Sequence, residues 1–126
     1  MSEGCVSIGF MSYLPVSGEQ PVVPLPEREP AAICAAVARL DPAALARFEA
    51  DWTAATARGR DEYSLLPVRY FVEHWFSWVA VARWPELAAR LRACERIVAG
   101  SPNRAERREA AAEISQILRQ AETVNA

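Results

Sequence analysis

The chain has no lysine: all fourteen of its basic residues are arginine. It has one histidine, His74, and only three cysteines, Cys5, Cys34 and Cys94, widely spaced and without a C-x-x-C. An odd, scattered set of thiols is neither a disulfide framework nor a zinc pattern. A single imidazole leaves no HExxH and no repeated Glu-x-x-His, so no metal centre is expected. Glycine is scarce, at five of 126 residues, and falls in no GxGxxG or Walker loop. Gly100-Ser101-Pro102 has one glycine and does not cradle a phosphate. No cofactor is implied. The net charge of −2 lacks the positive excess that drives non-specific nucleic-acid binding. The start of the chain has Glu3, no early arginine, and is broken by Gly and Pro, so no secretory signal is read there. No apolar run is long enough to span a bilayer. The expectation is a cytoplasmic protein with no membrane contact.

What is present is helix-forming. Hydrophobic residues make up 52% of the chain, alanine is abundant, and 126 residues suit one domain with its own core. The densest stretch, Leu65 to Trp84, holds Trp75, Trp78 and Trp84, with Phe71, Phe76 and His74. A helix apolar around most of its girth has to be covered around most of its girth. The spacing therefore predicts an all-α fold: a compact four- to five-helix bundle around a central aromatic helix.

Residues 1–29 differ from the rest. Pro15, Pro21, Pro24, Pro26 and Pro30 crowd one end, and PVVPLPEREP reads as extended or polyproline-like. Val6, Ile8, Phe10, Tyr13 and Leu14 suit a short strand that has no partner strand. Met11 resembles a second start. This segment is read as a Pro-rich arm, mobile or lying on the domain formed by residues 30–126.

Prolines and capping residues set helices at about 30–40, 42–58, 65–84, 85–99 and 102–122. Pro30, Pro42 and Pro85 sit where first-turn prolines are tolerated. Asp41 is the expected cap of the second helix and Gly59 its left-handed terminator, with Tyr63 folding back. Ser64 is the expected cap of the third, and Pro85 its end. Asn103 and Glu106 have capping-box spacing. The expected core stripes are Ile33, Val37 and Leu40; Leu45, Phe48, Trp52 and Ala55; Val68, Phe71, Trp75, Trp78 or Val79, and Ala82; Leu87, Leu91, Cys94 and Val98; and Ala111, Ile114, Leu118 and Ala121. Cys34 and Cys94 fall on these stripes as small buried hydrophobes. Arg47 and Asp51 are placed as an i, i+4 pair on the outer face. Arg69, Glu73 and Ser77 form the one polar line on the third helix.

Chemistry has little to work with. A Cys–His or Ser–His pair would have to use His74, whose sequence neighbour Glu73 points about 100° away on a helix. No enzyme is expected, and catalysis through His74 is the least favoured reading. Tryptophan and arginine dominate binding hot spots, so the expected function is a small protein-interaction module. The residues placed in that role are Tyr70, His74, Trp78, Trp84, Arg90, Arg104, Arg107 and Arg108. The partner is another protein or a second copy. The alternative is a DNA-binding regulator using helices 85–99 and 102–122, where 86–109 carries six arginines against four glutamates.

From LPEREP through LAARL, about residues 25–95, the chain resembles a family of small all-helical actinobacterial proteins of unknown function. The resemblance rests on the Pro-rich start, Asp41-Pro42, Phe48 and Trp52, the Leu-Pro entry to the third helix, Glu73-His74-Trp75, and Pro85. Such proteins are similar to ones encoded beside toxins of the RelE/ParE type. The resemblance implies an antitoxin-like role and a toxin-like partner, with no toxin-binding residue to carry over.

Overall fold

Prolines partition this chain. In the computed structural model, which describes residues 20–123, three of five helices carry a proline in the first turn. α1 spans Pro30–Leu40, and a 3-10 turn at Pro42–Ala44 leads into α2, Leu45–Glu62. α3 spans Leu66–Ala82, α4 Pro85–Gly100 and α5 Arg104–Thr123. Among the described residues there is no strand. The expectations for residues 1–19, including the short strand and the second start, lie outside the described residues.

Local chemistry explains the joints. Asp41 accepts from the Ala43 N–H at 3.1 Å and caps the 3-10 turn. Pro85 disfavours helical geometry at Trp84, whose backbone turns extended at φ −112° and ψ 99°, so α3 stops at Ala82 rather than Trp84. Asn103 Oδ1 accepts from the Glu106 N–H at 3.0 Å, while the Glu106 carboxylate receives the Ser101 hydroxyl instead of closing a reciprocal box.

The α2–α3 joint differs from expectation. Gly59 is not a terminator: α2 continues to Glu62, and Tyr63 takes the left-handed position at φ 51°. Gly59 is needed for close approach, because a Cβ there would meet the Ser64 carbonyl oxygen at 2.9 Å. The Ser64 N–H donates to the Gly59 carbonyl at 3.0 Å, and its hydroxyl accepts from the Leu66 N–H at 3.1 Å.

α3 is the pillar, in contact with α1, α2, α4 and α5. Its length divides between two cores. Phe71, Trp75 and Val79 join Ile33, Val37 and Phe48 in the first, formed with α1 and α2. Ala80, Val81 and Trp84 join Leu87, Cys94, Ile117 and Ala121 in the second, formed with α4 and α5. Each such large apolar side chain contributes roughly 1.5–3 kcal/mol of transfer free energy on burial.

The polar line of α3 is solvent-facing at Arg69 and Glu73 and half-buried at Ser77, and the arm reaches across part of it. Arg28 pairs with Glu73 and Glu122, Ser77 donates to Glu122, and the Arg28 guanidinium covers Phe76. The end of the Pro-rich arm thus lies on the domain. Val23 enters the first core, and the Val22 N–H donates to the Arg83 carbonyl at 2.8 Å. Arg83 is fully enclosed, its guanidinium carbon 5.3 Å from the Trp84 ring centroid, and burial pushes it below the usual arginine range.

Two stripes are turned from their expected faces, and in α2 Trp52, expected in the core, is 36% exposed. In α5 the buried set is Ala110, Ile117 and Ala121, with Ile114 and Leu118 half-buried and Ala111 exposed. In α4 Ile97 packs on the second core and Val98 faces outward. An antiparallel hairpin joined by three residues sets its own rotation, and the alanine-rich faces permit the shift. Cys94 is buried as expected; Cys34 is only half-buried.

Candidate interaction surface

The α2–α3 tip exposes apolar residues where a helical hairpin usually shows polar ones. Tyr63 is 96% exposed, Leu65 77%, Leu66 50% and Tyr70 67%. These four form one surface through shared neighbours. Tyr63, Leu65, Gly59 and Val68 edge a shallow cleft of about 370 Å³. Val68 also borders a second cleft with Leu66, Tyr70 and Arg28. Tyr70 borders a third with Pro67, Phe71 and His74.

The backbone holds this surface out. The left-handed conformation at Tyr63 costs an L-residue roughly 1–2 kcal/mol, and here it directs a large ring to solvent. Beneath the tip aromatic rings pack on one another. Phe48 and Phe71 lie 5.0 Å apart, Phe48 and Trp75 5.3 Å, and Trp52 and Phe71 5.2 Å, all in the tilted or edge geometries aromatic rings favour. The Trp75 indole N–H donates to Asp51 Oδ2 at 3.0 Å. The Arg47 guanidinium carbon lies 5.1 Å from the same ring. Arg47 and Asp51 therefore serve Trp75 rather than each other, because α3 brings a ring within reach of both.

The residues expected to bind a partner are scattered over the molecule. Tyr70 lies on the tip. His74, one turn further along α3, is exposed and edges against Trp75 at 5.5 Å between ring centroids. Trp78 is half-buried against the first core and stacks near Trp75. Trp84 is 3% exposed, inside the second core, and offers no contact surface; the extended turn before Pro85 swings its indole under α4 and α5. Arg90 pairs with Glu113 across the α4–α5 hairpin, and Arg107 donates to the Ser101 carbonyl at 2.7 Å. Arg104 and Arg108 are exposed on α5. The arginines thus belong to the α4–α5 unit, and Tyr70 and His74 to the α2–α3 unit.

Sequence reasoning missed Tyr63, Leu65 and Leu66. The signal was present: three large apolar residues and one serine at a joint that carries no glycine or asparagine. Tyr63 was expected to fold back on α2, but the left-handed turn points it away.

The second core holds one further polar cluster. The Cys94 thiol lies beside the Glu113 carboxylate, which pairs with Arg90. Burial, then the Glu113 charge and hydrogen bond, push this thiol above its usual range. Among the described residues, no helix is long and apolar enough to cross a membrane.

No curated protein and no solved structure matches the chain. A family model does match, over residues 21–122, from the arm that carries Arg28 to the end of α5. The chain belongs to that family, DUF6247, a family of unknown function.

Proposed function

We propose that this protein is a helical interaction module that binds another protein through the α2–α3 tip and regulates it by occluding its surface. An antitoxin-like role is the form of this reading that the resemblance to toxin-neighbouring proteins implies. One observation carries it: Tyr63, Leu65, Leu66 and Tyr70 stand exposed together above packed aromatic rings. Exposed contiguous apolar patches on soluble domains mark interaction sites, and tyrosine is a preferred hot-spot residue. A tip held by the Gly59–Ser64 contact loses little entropy on docking.

The test is co-purification from source cells of the tagged chain and of its Leu65→Asp variant. A stoichiometric protein partner is expected with the first and not the second. Equal recovery with both would remove the tip from the reading, and no recovery with either would remove the reading.

A further inference from the structure

We propose that the occupant of the α2–α3 tip in the isolated protein is a second copy of this chain, paired about a two-fold axis. This rests on the tip being a protein interface and names what covers it. Tyr63 and Leu65 of one copy enter the cleft that Tyr63, Leu65 and Val68 edge on the other.

Three observations favour a second copy over a strongly charged partner. The first is charge. Around the tip Arg28, Arg58, Arg60 and Arg69 mix with Asp61, Glu62 and Glu73, a sum of only +1. Arg58 is paired with Glu62 and Arg28 with Glu73, whereas Arg60, Asp61 and Arg69 have no ion pair among the described residues. A uniformly acidic or basic surface would meet like charges here. A two-fold copy brings the same mixed set and can register opposite signs.

The second is area. Two tyrosines and two leucines at these exposures present on the order of 500 Å² per copy, so that a pair buries at most about 1,000 Å², the size of weak, transient contacts. That size suits a reversible dimer. The third is shape. The face carries both projections, Tyr63 and Leu65, and the cleft beside them, so it has the knob and hole that an isologous contact requires of one surface.

Sedimentation velocity on the full chain, from about 5 µM to about 500 µM, tests this over the range where an interface of this size dissociates. The wild type is expected to shift from monomer to dimer mass, and Leu65→Asp to remain monomeric with an unchanged circular dichroism spectrum. Tyr63→Gly provides an independent reading. It relieves the left-handed strain, so its urea midpoint under monomeric conditions should rise while its dimer weakens at least tenfold. A wild type that stays monomeric at the highest concentration overturns the proposal. So does a dimer of undiminished affinity in both variants, which would place the contact on another face. A monomeric wild type that still loses a heterologous partner on Leu65→Asp overturns the second copy and leaves the wider reading intact.

Discussion

The indole N–H of Trp75 donates to the carboxylate of Asp51 at 3.0 Å, tying the middle of α3 to the middle of α2. Trp75 is fully buried, so its N–H has no water to turn to. Asp51→Ala should therefore leave an unsatisfied donor and destabilise the fold by about 1–3 kcal/mol, while Asp51→Asn, which retains an acceptor oxygen, should cost less. Urea unfolding followed by tryptophan fluorescence measures both. Equal losses would mean that the carboxylate does not serve the indole.

The two helical glycines should respond with opposite signs to the same substitution. Alanine is favoured over glycine in a helix by up to about 1 kcal/mol. At Gly100 an added Cβ meets nothing within 4 Å, so Gly100→Ala should raise stability by up to about that amount. At Gly59 the Cβ would press on the Ser64 carbonyl oxygen at 2.9 Å, a backbone atom that cannot rotate away. Gly59→Ala should lower stability by about 1–3 kcal/mol as the joint shifts. Urea midpoints moving in one direction for both would contradict this geometry.

Arg28 lies with its guanidinium carbon 3.9 Å from the Phe76 ring centroid while pairing with Glu73 and Glu122. The ion pairs are half-exposed and individually weak, so the ring contact matters most. Arg28→Ala should cost about 1–2 kcal/mol, and Arg28→Lys most of that, since an ammonium cannot reach two carboxylates and a ring face together. Hydrogen exchange should show faster exchange at the Val22 amide, which is bonded to the Arg83 carbonyl. Unchanged exchange there would separate Arg28 from the docking of the arm.

Stability should fall in alkali through Cys94. Its thiol is raised in the folded state, so between the unfolded pKa of about 8.5 and the higher folded value the native protein holds a proton that the unfolded chain has lost. The contribution is complete below that lower value and disappears as pH climbs through the folded one. Cys94→Ser keeps a small polar side chain beside Glu113 and removes this titration, so its urea midpoint should decline less between about pH 8 and 10. Parallel declines in the two proteins would assign the effect to other groups.

Trp84 and Tyr70 should separate core from surface. Trp84→Ala empties a buried site and should cost about 3–5 kcal/mol. Tyr70→Ala, at 67% exposure, should change stability by less than about 0.5 kcal/mol. Thermal melts of the two variants, taken together, check the assignment.

Much of this architecture was readable from local signals. Pro30 and Pro85 cannot sit in helix interiors and mark the starts of α1 and α4, whereas Pro42 opens a 3-10 turn and α2 runs from Leu45 to Glu62, past the expected end. Phe48, Phe71, Trp75 and Cys94 were recognisable as core because their spacing puts them on one face. Leu91 and Leu118 pack on the second core, but the stripes around them are turned from the expected faces, since an alanine-rich face does not say which way it is rolled. The candidate surface was barely legible. Tyr70 was identified, but Trp84 looked equally available, and only the direction of the chain before Pro85 distinguishes them.

By itself, the order of residues determined an all-helical chain with proline-marked joints and a bulky central helix, because helix periodicity, capping and proline sterics act over a few residues. Only tertiary structure decided that Glu73 would pair with Arg28 and Ser77 with Glu122, that Asp51 would serve Trp75, and that Tyr63 and Leu65 would stand largely exposed. Those outcomes depend on which helix faces meet across long stretches of chain, and on Ser64 approaching Gly59 closely enough to force the turn outward.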